Sequence, residues 1–231
     1  MDFSGRQVVV SGGTGALGTA VVRELLAAGA TCAVPYMHEA EAQNFPHRGD
    51  PNVTLIAVTD LADETQVAKV YAGLKPFASI HIAGGFAAGK ITETDQKALM
   101  AQINSNLTSC FLCCRAATKA MLTSGGGRIV NVAARPALEW RSGAGMTAYT
   151  VAKAGVAALT AALAEEVAKD GILVNAVAPS IMDTPANRKA MPKANFDGWP
   201  KVEEVAATIL FLASPDNRVT RGAIVPVYGK S

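Results

Sequence analysis

Gln7-Val8-Val9-Val10-Ser11-Gly12-Gly13-Thr14-Gly15-Ala16-Leu17-Gly18 is the stretch that decides the fold. Its opening is a β-branched run that reads as a buried strand, and the glycines behind it stop that strand. Residues 20–28 then carry a helical pattern that Gly29 ends. Strand, glycine-rich turn and helix in this order make a dinucleotide-binding arrangement. The glycines let the backbone approach a pyrophosphate, and the helix N-terminus presents unpaired N–H groups at the positive end of its dipole. A glycine turn alone is a weak signal; its place behind the first strand of an alternating chain makes it strong.

That alternation continues to the end of the sequence. Strands are expected over 31–36, 53–58, 79–83, 128–132, 172–177 and 224–227, and helices over 63–74, 95–123, 148–169 and 202–214. The fold class this implies is α/β: a Rossmann-type doubly wound parallel sheet of about seven strands with helices on both faces. At 231 residues the chain makes one domain, residues 1–231. Gly84-Gly85 breaks the chain at the carboxyl end of the fourth strand, where ligands of open parallel sheets sit. Residues 178–200 have no clear period, contain several prolines with Phe196 and Trp199, and read as a mobile flap over the site.

Composition narrows the function classes. Hydrophobic residues make up 50% and charged residues 17%, as a sheet buried on both faces requires. The 21 basic and 19 acidic residues give a net charge of +2 without like-charge blocks, so neither nucleic acid nor an anionic membrane is an expected partner. The N-terminus has no signal-peptide pattern and no apolar run reads as a membrane span, which points to the cytoplasm. Cys32, Cys110, Cys113 and Cys114 all lie in apolar runs, with no second CxxC and no paired histidine, so they read as buried reduced thiols and no metal site is expected. His38, His47 and His81 read as surface or structural residues.

Tyr149 and Lys153 are the candidate catalytic pair. Four residues apart on a helix, they share a face, with the ammonium one turn from the phenol. A fixed cation beside a tyrosine favours phenolate and brings its proton affinity towards neutral pH. Ala152, Ala154, Gly155, Ala157, Ala158, Ala161 and Ala162 keep the helix surface low, so that a ligand or another backbone can approach.

With these residues in place, the chain resembles the short-chain dehydrogenase/reductase family along nearly its whole length. The residues from Ser11 to Gly18 are similar to the family's TGxxxGxG turn, with Ala16 at its middle glycine, and the resemblance assigns Ser11, Gly12, Thr14, Ala16, Leu17 and Gly18 to the cofactor. It adds Tyr36 at the end of the second strand, Asp60 and Leu61 at the adenine, and Ala83, Gly84 and Gly85 in His81-Ile82-Ala83-Gly84-Gly85, where the NNAG motif is only partly kept. Lys153 would hold the nicotinamide ribose, and Pro179 and Thr184 would lie against the nicotinamide. Asn106 matches the family's helix asparagine and would support a water-linked proton relay to Lys153. The implied activity is an NAD(P)-dependent reduction in which hydride passes from nicotinamide C4 to a C=O or C=N carbon while Tyr149 supplies the proton.

One departure bears on the substrate. Asn131-Val132-Ala133-Ala134-Arg135 stands where the family has asparagine, an apolar residue and two serines, so Ala134 replaces the active-site serine. Quinonoid dihydropteridine reductases, a branch of the family, share this loss and have counterparts of Ala83 to Phe86 and of the residues from Asp183 to Pro192. Such a substrate would stack on Phe86 and Trp199, while a relocated hydroxyl from Ser142 or Thr147 would restore carbonyl reduction. A dinucleotide-binding regulator that has lost its chemistry is the reading from another class. At the ribose, Tyr36 has neither carboxylate nor arginine beside it in the sequence, which leans towards NADP over NAD. The long helices 95–123 and 148–169 carry more apolar surface than one sheet face covers, so a homodimer or homotetramer is expected.

Overall fold

Val8, Val9 and Val10 have no exposed surface because their strand, β1 (Gln7–Ser11), lies at the centre of the sheet with a layer of helices on either side. The computed structural model describes all 231 residues. β1 pairs in parallel with β2 (Thr31–Tyr36) on one side and β4 (Ala78–His81) on the other. Beyond them lie β3 (Val53–Ala57), β5 (Gly127–Val132), β6 (Ile172–Pro179) and β7 (Ile224–Val227), in the order β3-β2-β1-β4-β5-β6-β7 with every pair parallel. The chain winds outwards from β1 to β3 and returns to β4. The crevice of an open α/β sheet therefore falls between the ends of β1 and β4.

Alternation along the strands divides the core in two. Val8 and Val10 point to one face with Val34, Ile80 and Val130, packed under α1 (Ala16–Ala27) and α8 (Val202–Ala213). Val9 points to the other with Ala33, Ile129 and Val174, under α3 (Glu64–Tyr71), α5 (Ser109–Ser124) and α6 (Thr147–Glu166). Both faces are apolar, which is why these strands read as continuous hydrophobic runs.

Strand and helix ends shift by a few residues throughout, and four stretches differ in form from the sequence reading. α1 begins at Ala16 rather than at residue 20, because the last glycine of the turn is already helical. α2 (Glu39–Asn44) was not visible in the sequence, since it is one short piece that buries only Ala42. The helix expected over 95–123 is α4 (Gln96–Gln102), a π-helical turn over Ile103–Thr108, and then α5, ended by Gly125 at φ +87. The segment expected to be a flap, read as lacking any period, contains α7 (Pro185–Ala190) and contacts of its own: Arg188 clasps Asp183 at 2.6 and 2.8 Å, Asn187 Nδ2 donates to Met182 O at 2.8 Å, and Lys230 N donates to Gly198 O at 2.9 Å. α6 is also long and apolar enough, by length and composition alone, to cross a membrane, which the sequence reading had not recognised; here it packs against β6 and the π-helical turn before α5.

Candidate active site

The glycine turn joins the two strand ends that flank the crevice. Ile82 N and Ala83 N donate to Ser11 O at 3.0 and 3.1 Å, so the chain after β4 runs against the turn after β1. Gly12 stands at φ +70, and a Cβ there would meet Ala83 N at 2.6 Å; a Cβ on Gly18 would meet Gly12 O at 2.1 Å. Both positions are closed to any side chain. The N-cap of α1, Gly15, makes no side-chain cap, and Gly15 and Ala16 are exposed. The first N–H groups of α1 are thus free for an anion, which fits a dinucleotide pyrophosphate. Leu17 turns its side chain into the core, so only its N–H can take part.

At the ribose end the structure corrects the sequence reading that no carboxylate stands beside Tyr36. Tyr36 OH donates to Glu39 Oε2 at 3.2 Å, and Thr14 Oγ1 donates to Glu41 Oε2 at 3.1 Å. Both acids belong to α2 and were missed with it; the one signal available was their position just beyond the second strand. Asp60 is exposed beyond β3, its Oδ1 accepting from Ala62 N at 2.8 Å, while Leu61 is buried.

Tyr149 and Lys153 share a face of α6 as the spacing requires. Lys153 is buried, and its Nζ donates to Val132 O at 2.7 Å, at the end of β5, while lying 5.9 Å from the Tyr149 ring centre. The Phe86 ring stands edge-on to Tyr149, with ring centres 5.1 Å apart. The two proton affinities move apart. Burial pushes the Tyr149 phenol up to about 12, and desolvation brings Lys153 down to about 8 against the opposing pull of Cys110. In the free chain burial raises the phenol, the opposite of what the spacing to Lys153 suggested.

Asn106 reaches this pair from the π-helical turn. Its Nδ2 donates to Gly85 O at 2.9 Å and Gln102 O at 3.1 Å, while its buried Oδ1 has no partner. A Cβ on Gly84 would lie 2.5 Å from that Oδ1 and 3.5 Å from Lys153 Nζ. Gly84, Asn106 and Lys153 thus converge on one point at the switch of the sheet. The orphaned oxygen and the space kept by glycine fit a polar group entering here.

The remaining candidates are dispersed. Ala134 is buried just beyond β5, where the 3₁₀ turn Arg135–Ala137 begins. Ser142 is exposed, and its Oγ donates to Glu139 O at 2.7 Å; Thr147 opens α6, also exposed. Pro179 ends β6, and Thr184 Oγ1 caps α7 by accepting from Asn187 N at 3.1 Å. Phe86 is 63% exposed and free to meet a flat ring. Trp199 is 8% exposed, its ring tilted against Phe196 at 5.0 Å, so it seats the segment behind the site and offers little face to a ligand.

Known proteins resemble this chain in sequence and in fold. The family described as short chain dehydrogenase matches residues 6–195. Galactitol 2-dehydrogenase of Rhizobium johnstonii is 36% identical over 97% of this chain and 94% of its own. A 3-oxoacyl-[acyl-carrier-protein] reductase of Pseudomonas aeruginosa is 29% identical over 99% and 98%. The solved structure of ElxO with NADP bound superposes with a TM-score of 0.85 at 27% identity, over 97% of both chains. With its parallel seven-stranded sheet and its glycine turn at the switch point, the chain belongs to the short-chain dehydrogenase family of NAD(P)-dependent oxidoreductases.

Proposed function

We propose that this protein reduces a C=O or C=N bond of a small molecule, with Tyr149 as the proton donor. The observation that carries the reading is the convergence of Tyr149, Lys153, Asn106 and Gly84 beside the glycine turn. When bound, the reduced nicotinamide supplies hydride; this chain supplies position and protons. The α1 N-terminus, with the backbone of Ser11, Gly12, Thr14 and Ala16, holds the pyrophosphate, and Asp60 and Leu61 border the adenine. Pro179 and Thr184 lie where β6 ends, on the nicotinamide side. Lys153, fixed by Val132 O, holds the ribose and keeps positive charge within one turn of Tyr149. Asn106 Oδ1 is the acceptor that can order a water against Lys153 and refill the donor. Glu39 and Glu41 stand where a 2′-phosphate would be repelled, which weighs towards NADH, while ElxO, a structural relative, was solved with NADP bound.

The substrate class follows from Ala134. A ketone meets one donor fewer than in relatives with a serine at this place. A quinonoid dihydropterin is electron-poor, needs hydride and one proton, and has the exposed Phe86 ring to stack on. A paired screen of carbonyls and quinonoid dihydropterin, each with NADH and NADPH, tests the reading. Turnover of either class supports reduction; binding of the dinucleotide without turnover of any substrate would leave the regulator.

A further inference from the structure

Beneath the catalytic face lies a group of side chains that the reaction does not use. His81 ends β4, and Cys110 and Cys114 are four residues apart on α5, so they share a face of that helix. All three are buried, and one ligand atom from each, a ring nitrogen and two sulfurs, lies within 4.8 Å of the others. The sequence offered no histidine to complete a thiol site because His81 is remote from the cysteines in the chain; packing of α5 on β4 brings it in.

The surroundings aim these groups inwards. His81 Nε2 is held by Ser79 Oγ at 2.9 Å and Tyr71 OH at 3.3 Å, and those hydroxyls bond each other at 2.7 Å. Nδ1 is left facing Cys114 Sγ at 3.5 Å and Asn131 Oδ1 at 2.8 Å. Asn131 Nδ2 donates to Thr160 Oγ1 at 2.9 Å, which turns the amide so that its oxygen also faces Cys114 Sγ at 3.4 Å. A tetrahedral zinc with bonds of about 2.3 Å to sulfur and about 2.0–2.1 Å to nitrogen and oxygen has ligand-to-ligand edges of roughly 3.3–3.8 Å. The two spacings at Cys114 Sγ, 3.5 Å to His81 Nδ1 and 3.4 Å to Asn131 Oδ1, match such edges, while the 2.8 Å between Nδ1 and Oδ1 is a hydrogen bond that has to open as the ion enters; the ring is oriented through its outer nitrogen as metal-bound imidazoles are.

We propose that His81 Nδ1, Cys110 Sγ and Cys114 Sγ form a closed site for a thiophilic d¹⁰ cation. Zn²⁺ takes Asn131 Oδ1 as its fourth donor; Cu⁺ is satisfied by the three nitrogen and sulfur donors. Binding is not a redox step. The two thiol protons leave to solvent, and the imidazole proton moves from Nδ1 to Nε2, where the Ser79 hydroxyl rotates to accept it. With every ligand buried there is no open position, so the site is structural. Cys110 lies one turn beyond Asn106, and Asn131 precedes the Val132 carbonyl that holds Lys153, so the ion would fasten the floor of the active site.

The test uses the full chain, stripped by a chelator and loaded in separate arms with Zn²⁺ or with Cu⁺ under reductant, then freed of excess metal. One ion retained per chain in either arm is the expected result, and the arm that retains it identifies the cation. In a separate measurement with free metal held ~100-fold above its Kd, Tm should rise by roughly 5–10 °C over the stripped protein. Cys114→Ser and His81→Asn should lose both the ion and the Tm response, while Cys113→Ser, on the same helix outside the trio, keeps them. Should Cys114→Ser not fold, Co²⁺ in the unaltered protein gives an independent reading, through thiolate-to-cobalt charge-transfer absorption. No retained ion, an ion retained equally by Cys114→Ser and His81→Asn, or bound Co²⁺ without that band overturns the proposal.

Discussion

Lys153 loses proton affinity on folding and Tyr149 gains it, and both shifts have consequences in pH. Lys153, at about 8 folded against 10.5 for a free lysine, binds its proton less readily in the fold than in the unfolded chain. Its penalty is complete below about pH 8, and stability rises with pH between about 8 and 10.5. Tyr149, raised to about 12 from 10.0, acts in the opposite sense and lowers stability as pH climbs from 10 towards 12. Reduction needs both protons in place, so kcat/KM should fall as pH rises through about 8; a profile flat to pH 10 would remove Lys153 from the rate. Ala134 leads to a second expectation. With one oxyanion donor missing, simple ketones should be turned over slowly, and Ala134→Ser should raise their kcat. If instead Ser142→Ala or Thr147→Ala lowers kcat ~10²-fold, the hydroxyl has been relocated. Tyr149 and Lys153 were legible because a four-residue spacing on a helix fixes a shared face. The direction of their shifts was not, since desolvation depends on what β5 and the chain after β4 place around them, and Trp199 turned inwards for the same tertiary reason.

The elements that escaped sequence reading are those whose form is set by neighbours. α2 buries a single alanine and so leaves no period, yet it carries the two carboxylates nearest Thr14 and Tyr36. Glu39→Gln combined with Glu41→Gln should shift the ratio of kcat/KM for NADPH over NADH towards NADPH by ~10-fold, as expected for removing repulsion of a 2′-phosphate. An unchanged ratio would place these acids outside the ribose site. The π-helical turn keeps Asn106 aimed at Gly84, and nothing in Asn104-Ser105-Asn106 signals a wider turn. The segment before α8 lacked any period because its order comes from Arg188 on Asp183 and from the C-terminal tail, contacts that no local pattern encodes. Strands and the glycine turn were legible for the opposite reason: a strand buried on both faces must be apolar throughout, and Gly12 and Gly18 have no alternative residue.

Across the whole molecule, part of the apolar surface that the fold leaves uncovered lies on α5 and α6. Phe111 and Leu122 on α5 and Val151 on α6 are each about half exposed, and small residues flatten α6 between them. Light scattering at micromolar concentration should find a dimer or tetramer, and Phe111→Glu with Val151→Glu should dissociate it; a monomeric parent protein would contradict this. The parallel α/β sheet with helices on both faces was readable from the alternation of strands and helices, while its strand order came only with the fold, and the assembly rests on surface whose partner a single chain does not contain. The claim on which the account turns is that Tyr149 donates the substrate's proton. The direct measurement is kcat and the dinucleotide dissociation constant for the parent protein and Tyr149→Phe, on the best substrate from the carbonyl and dihydropterin screen. A loss of kcat of ~10²-fold or more with dinucleotide affinity unchanged is the expected result; a kcat near that of the parent protein would contradict it.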